Sequence, residues 1–171
     1  MVRLLFVCLG NICRSPTAEA VMRELVRARG LDSAVRVASA GTGDWHIGSG
    51  ADPRAVSAAA GRGVVLDGVA RQVVPADLDR FDLLLAADRA NHRALLELAG
   101  DSPQRRARVR LLREFDPASV AAGELEVPDP YFGAGDGFEA VLDICEAACT
   151  GLLAELVTSG RVVEAGRVRS E

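Results

Sequence analysis

The sequence predicts an α/β protein: a single doubly wound domain with a four-stranded parallel sheet and helices on both faces. Three observations lead there. Short apolar runs of strand length, such as RLLFVC at 3–8 and FDLLLAA at 81–87, lack the alternation of a half-solvated sheet, so both faces of each strand are buried. Helical periodicity recurs between them, as crossovers between parallel strands require. The 171 residues show no internal repeat, low-complexity segment or linker, which suits one core.

The elements follow in order. After the first strand and a glycine-containing turn, Ser15 is placed to cap a helix and Pro16 to occupy its first position. That helix keeps Ala20, Val21, Leu25 and Val26 on one side and is expected to stop at Gly30. A second strand covers about 34–39 (AVRVAS) and leads into the loop AGTGDWHIGSGADP. There Asp52-Pro53 reads as a cap and first turn, opening a small-residue helix to about Gly61. The third strand, at 81–87, precedes a helix from about Asp88 to Leu98. A fourth strand near 108–112 (RVRLL) precedes a long loop through EVPDPYFGAGDGFE. The last helix, about 137–158, should bury Phe138, Val141, Leu142, Cys145, Cys149, Leu152, Leu153 and Leu156, which recur at helical spacing. The folded domain is therefore expected over residues 1–158. The tail at 159–171 carries no strong structural signal and is consistent with disorder.

The formal charge of −4 argues against nucleic acid or an anionic membrane as the main partner, while leaving room for a local basic pocket. All the Lys and Arg charge is arginine, which coding bias explains. No apolar run is long enough to span a bilayer, and LLFVC is too short for a signal peptide, so a cytoplasmic protein is expected. Thiols stay reduced there, and four cysteines are better read as reactive or packed than as a disulfide framework. Cys8 and Cys13 have four residues between them, Cys145 and Cys149 three, and no histidine lies near either pair, so structural zinc does not fit and no metal or cofactor is expected.

The chemistry concentrates in FVCLGNICRSPTAEAV, residues 6–21. Two thiols and a cation on one strand-to-helix turn admit three readings: a metal or redox site, an anion-binding loop containing a nucleophile, or incidental packing. In an open parallel sheet, ligands bind beyond the carboxyl ends of the strands, where this turn lies. The turn aims backbone N–H groups at one point, and the helix N-terminus adds partial positive charge. Cys8 ends the strand at the floor of that cradle, where the thiolate is favoured and its pKa should fall below the roughly 8.5 of a free cysteine. Arg14 can hold two oxygens of a tetrahedral anion in its planar fork. A sulfur nucleophile beneath a bound phosphate is the layout for phosphoryl transfer through a cysteinyl-phosphate. The Gly-Lys-Ser/Thr ending of nucleotide phosphate loops is absent. Cys-x5-Arg alone is a weak signal. The apolar strand before it and Ser15-Pro16 after it make simple packing the minority reading.

VCLGNICRSPTAEAV resembles the signature loop of the low-molecular-weight protein tyrosine phosphatases, and SAGTGDWHIG, DPRAV, ARQV and DPYFG follow in that family's order and spacing, to about residue 157. The resemblance implies a metal-independent protein phosphatase, a hydrolase of phosphotyrosine and aryl phosphates, with phosphotyrosine-containing proteins as substrates; separately, a monomer is the expected state. It implies Cys8 as nucleophile, Arg14 as phosphate clamp and Asp129 as general acid and base. Leu9, Gly10, Asn11, Ile12, Cys13, Arg14 and Ser15 would line the phosphate. Ser15 would bond the Cys8 thiolate and ease its departure, with Asn11 and Ser39 bracing the loop. Trp45 and Tyr131, with Leu9 and Ile12, would form a deep slot that admits an aryl phosphate and stops phosphoserine short. Ile12 suits the tyrosine-specific branch, since phosphoarginine phosphatases tend to carry threonine there. His46 reads equally as a rim residue or a solvated one. Cys13 reads equally as a redox partner that shields Cys8 through a disulfide or as a small buried hydrophobe; Cys145 and Cys149 read as core. Two departures stand out: Gly68 replaces a histidine that supports the loop asparagine, and Phe132 replaces a frequent second tyrosine.

Two rivals remain. Thioredoxin-coupled arsenate reductases share the fold and the Cys-x5-Arg loop, but need a resolving cysteine pair in mid-chain, and residues 61–92 contain none. A phosphotyrosine-binding pseudophosphatase is disfavoured by Cys8, Arg14 and Asp129 together.

Overall fold

The structure, a computed structural model, describes residues 1–133 and 135–163. Four strands, β1 (Val2–Cys8), β2 (Val35–Gly41), β3 (Leu83–Ala86) and β4 (Val109–Leu111), form one parallel sheet in the order β2-β1-β3-β4. The predicted fold class is the one observed. The order reverses at β1, so the end of β1 lies at the topological switch point where doubly wound sheets bind ligands.

β1 is buried on both faces because alternate residues serve different layers. Leu4, Phe6 and Cys8 face α1 (Arg14–Ala28) and the last helix, α7 (Gly137–Thr158). Leu5 and Val7 join Leu84, Ala86, Leu95 and Ala99 on the opposite side, where α4 (Arg89–Ala99) packs. α7 has the predicted bounds and buries all eight side chains named for it. Each such burial contributes about 1.5–3 kcal/mol for a large apolar side chain. Its Gly151 passes close to the Phe115 carbonyl, where a Cβ would stand 1.8 Å from the oxygen.

α1 starts earlier than expected. Cys13 holds the N-cap position, with no side-chain cap, and Ser15 lies inside the helix. The Ser15 hydroxyl is committed to Cys8 and Asn11 instead of a helix N–H group. Pro16 falls in the first turn, where a missing N–H breaks no helical bond. The helix ends as expected. Gly30 adopts φ +65°, and the Gly30 and Leu31 N–H groups return to the Arg27 and Val26 carbonyls, a Schellman closure.

α2 (Pro53–Ala60) begins as predicted, with the Asp52 carboxylate accepting from Arg54 N–H at 2.9 Å. β3 is shorter than expected, because Phe81 closes the short α3 (Asp77–Arg80) and the Asp82 carboxylate accepts the Arg3 N–H. The sequence did not predict α3, α5 (Pro103–Ala107) or α6 (Pro117–Ala122). A 3-10 turn, Leu112–Phe115, takes the last residue of the expected fourth strand. Of the tail, Val162 packs in the main core; residues 164–171 lie outside the described residues. No helix among the described residues is long and apolar enough to cross a membrane.

Candidate active site

The turn from β1 to α1 is built around Asn11. Its backbone sits at φ +56°, a left-handed conformation that asparagine tolerates better than most residues. Its carboxamide is saturated: Nδ2 donates to Ser15 Oγ at 2.8 Å and to Ser39 Oγ at 3.0 Å, and Oδ1 accepts from Arg71 N–H at 3.0 Å. The loop is therefore braced although Gly68 offers no side chain; a Cβ there would meet nothing within 4 Å.

Beneath the loop, Cys8 Sγ lies 3.0 Å from Ser15 Oγ, with both residues buried. The Ser15 hydroxyl also reaches the Ala40 carbonyl at 3.3 Å. Among the described residues, the backbone N–H groups of Leu9 through Ser15 find no backbone acceptor. Several of these residues are buried, and buried N–H groups seldom stay unpaired. An anion seated in the loop would satisfy them.

Arg14 projects from the first turn of α1 and is 4% exposed. Its Nη1 donates to Asp88 Oδ2 at 2.7 Å and to the Val127 carbonyl at 3.0 Å, and its Nη2 reaches Asp129 Oδ2 at 3.4 Å. Burial works against its charge, but the Asp88 hydrogen bond, with Cys8 and Asp129 nearby, outweighs that cost and holds its pKa above the usual guanidinium value. Asp129 is partly exposed, and its Oδ1 accepts the Tyr131 N–H at 3.1 Å.

The mouth above Cys8 is a cavity of about 230 Å³. Cys8, Leu9, Gly10, Ile12, Cys13 and Arg14 form its floor and one side; Trp45, His46, Asp129, Tyr131 and Phe132 form the rest. Trp45 is 70% exposed. His46 is a rim residue: its ring lies against Gly10, where a Cβ would stand 3.0 Å from Cδ2, and 6.5 Å from the Tyr131 ring centroid. Phe132 stacks edge-on against Tyr131 at 4.8 Å and is otherwise solvent-exposed. Cys8, Leu9, Gly10, Ile12, Cys13, Arg14, Trp45, Asp129 and Tyr131 thus share one cavity, with Asn11, Ser15 and Ser39 bonded behind it.

All four cysteines are free thiols. Cys13 packs with Ile12, Ala55, Ala70 and Phe138. Burial, reinforced by Asp52, pushes its thiol up to about 12. Cys145 and Cys149 are core residues, as expected, and Cys149 Sγ points at the Ala18 carbonyl at 3.7 Å. Among the described residues, no group of three or more His, Cys, Asp or Glu side chains is gathered for a metal ion.

Sequence reasoning missed Asp88, Glu19 and the Arg71 N–H. Asp88 follows the strand beside β1 and could have been found as an acidic residue at the switch point. Glu19, which accepts from Ser39, and Arg71 N–H carried no local signal.

The family model for low molecular weight phosphotyrosine protein phosphatase matches residues 3–162. A "Low molecular weight protein-tyrosine-phosphatase" of Streptomyces coelicolor is 54% identical over 152 residues, spanning 89% of this chain and 92% of that protein. The "Low molecular weight protein-tyrosine phosphatase A" of Mycobacterium tuberculosis is 48% identical over 147 residues, 86% of each chain. Among solved structures, a protein tyrosine phosphatase from Entamoeba histolytica, with Hepes in its active site, superposes with a TM-score of 0.87 at 38% identity, covering 94% of this chain and 99% of that one. These similarities span the sheet, the β1–α1 loop and the last helix alike, and the chain belongs to the low molecular weight phosphotyrosine protein phosphatase family.

Proposed function

We propose that this chain hydrolyses phosphotyrosine in proteins, and aryl phosphates generally, through a cysteinyl-phosphate on Cys8. The observation that carries the reading is the convergence of Cys8, the unpaired N–H groups of Leu9–Ser15, Arg14 and Asp129 on one cavity walled by aromatic side chains.

The phosphoryl oxygens would take the loop N–H groups and, between them, the Arg14 fork, which Asp88 and the Val127 carbonyl hold in orientation. The Cys8 thiolate attacks phosphorus as the bond to the phenolic oxygen breaks, and Asp129 delivers its proton to that oxygen. In the second half, Asp129 takes a proton from a water that attacks phosphorus. The P–S bond breaks, the electron pair returns to sulfur, and the Ser15 hydroxyl donates to the departing thiolate. Inorganic phosphate leaves, and the enzyme regains its starting protonation. Trp45 and Tyr131 supply the slot that a flat aryl group fills.

Hydrolysis of an aryl phosphate should continue undiminished in EDTA and vanish in Cys8→Ser. Full activity of that variant would overturn the reading. Cys13, a free thiol lining the same cavity as Cys8, is the candidate redox partner, and burial raises its own pKa to about 12. Peroxide treatment followed by mass spectrometry, with Cys13→Ala as control, tests the disulfide.

A further inference from the structure

The hydrogen bonds behind the loop have a single consistent direction. Arg71 N–H can only donate, so it fixes the Asn11 carboxamide with Oδ1 toward it. Both Nδ2 protons then point at Ser15 and Ser39, whose oxygens must accept. The Ser39 proton goes to Glu19 Oε2 at 2.5 Å, and a carboxylate can only accept. The Ser15 oxygen, occupied by Asn11, has one proton to give, and its two acceptors are Cys8 Sγ at 3.0 Å and the more distant Ala40 carbonyl at 3.3 Å; the shorter contact is to the sulfur.

Glu19 is itself held. Its Oε1 accepts from Arg23 Nη2 at 2.7 Å, one helical turn along α1, and Arg23 Nη1 donates to Asp67 Oδ1 at 2.9 Å. Side-chain exposure falls from 64% at Asp67 through 41% at Arg23 to 16% at Glu19. The chain thus runs from solvent to the buried thiol.

We propose that Glu19 and Arg23 are positioning residues for the reaction: the Arg23 clamp aims the Glu19 carboxylate at Ser39, which orients Asn11 and leaves the Ser15 proton directed at Cys8. This rests on Cys8 being the nucleophile. Neither residue lines the cavity, so neither should touch substrate.

The test compares Glu19→Gln, Arg23→Ala and Arg23→Lys with the unaltered enzyme. Three quantities are read: the rate at which Cys8 is alkylated by iodoacetamide at mildly acidic pH, located by peptide mass spectrometry; kcat and KM for an aryl phosphate; and Tm. Glu19→Gln should slow Cys8 alkylation and lower kcat by about three- to tenfold, the worth of one hydrogen bond, with KM within about twofold. Arg23→Ala should show a smaller loss in the same direction, and Arg23→Lys should recover most of it. Adding Ser39→Ala to Glu19→Gln should cost little more than either alone, because both break the same chain. A purely structural role would lower Tm and leave the alkylation rate of the folded fraction unchanged, and that result overturns the proposal, as does unaltered kcat in Glu19→Gln. Alkylation is scored at Cys8 without turnover. A failure of the Cys8 assignment would appear separately, as activity surviving in Cys8→Ser.

Discussion

Gly41→Ala should damage the catalytic loop from underneath. Gly41 ends β2 opposite Cys8 in the sheet register. An added Cβ would stand 2.7 Å from the Leu9 carbonyl oxygen and 3.2 Å from both the backbone nitrogen and the Cβ of Asn11. The Gly41 backbone is not in the left-handed region, so the effect is steric alone. None of the three atoms is the free end of a flexible side chain. The Leu9 carbonyl accepts from Gly43 N–H at 2.9 Å, and Asn11 is held by its three carboxamide bonds. Relief therefore requires the loop to shift by several tenths of an ångström relative to β2. Overpacking of this kind costs about 1–3 kcal/mol, which for a domain of this size lowers Tm by roughly 2–12 °C. The same shift displaces the groups around phosphorus. If a 1 Å misplacement costs about a hundredfold, kcat/KM should fall by roughly three- to thirtyfold. Thermal unfolding and aryl phosphate kinetics measure both, with Gly50→Ala as control, since a Cβ there meets nothing within 4 Å. If Gly41→Ala matched the control in both Tm and kcat/KM, the loop would not be packed on β2 in the manner described.

Other expectations follow from the same geometry. Asp129→Asn should slow phenyl phosphate far more than an activated nitrophenyl ester, by about 10²- to 10⁴-fold for the former, as measured by a leaving-group series; equal losses would remove Asp129 from the acid role. Trp45→Ala should narrow the preference for phosphotyrosine over phosphoserine peptides, compared as kcat/KM ratios, with little change in Tm because the indole is mostly exposed. Burial raises the Cys145 thiol from 9.0 to about 12, so the folded state retains a proton that the unfolded chain releases. Its contribution to stability is complete below pH 9 and fades as pH climbs toward 12. Cys145→Ala should be less stable at neutral pH but lose less on going from pH 9 to 12 in chemical denaturation.

Much of the fold was legible because its signals are local. β1, buried on both faces, had to be a run of apolar residues, and α7 had to carry eight of them at helical spacing. The Asp52-Pro53 start was read correctly from the chemistry of the cap. The same cap-and-proline signature opens α5 at Ser102-Pro103 and α6 at Asp116-Pro117, where Ser102 and Asp116 accept helix N–H groups. Both were missed because five or six residues are too few to set up a periodic apolar face. Ser15 misled for the opposite reason: it has the right chemistry for a cap, but its hydroxyl is drawn to Cys8 and Asn11. At the site, the residues contiguous in the β1–α1 loop could be named in advance. Asp88 was within reach as an acidic residue at the switch point, but Glu19 and Gly41 were not, because their roles arise only when segments distant in sequence lie side by side.

The most direct test of the account is a rapid chemical quench during turnover of an aryl phosphate in EDTA, followed by peptide mass spectrometry. A single phosphoryl group should be found on the peptide containing Cys8, on sulfur, appearing with the first turnover and absent from Cys8→Ser. Phosphate on any other residue, or release of phosphate at the normal rate without a phosphorylated Cys8, would contradict it.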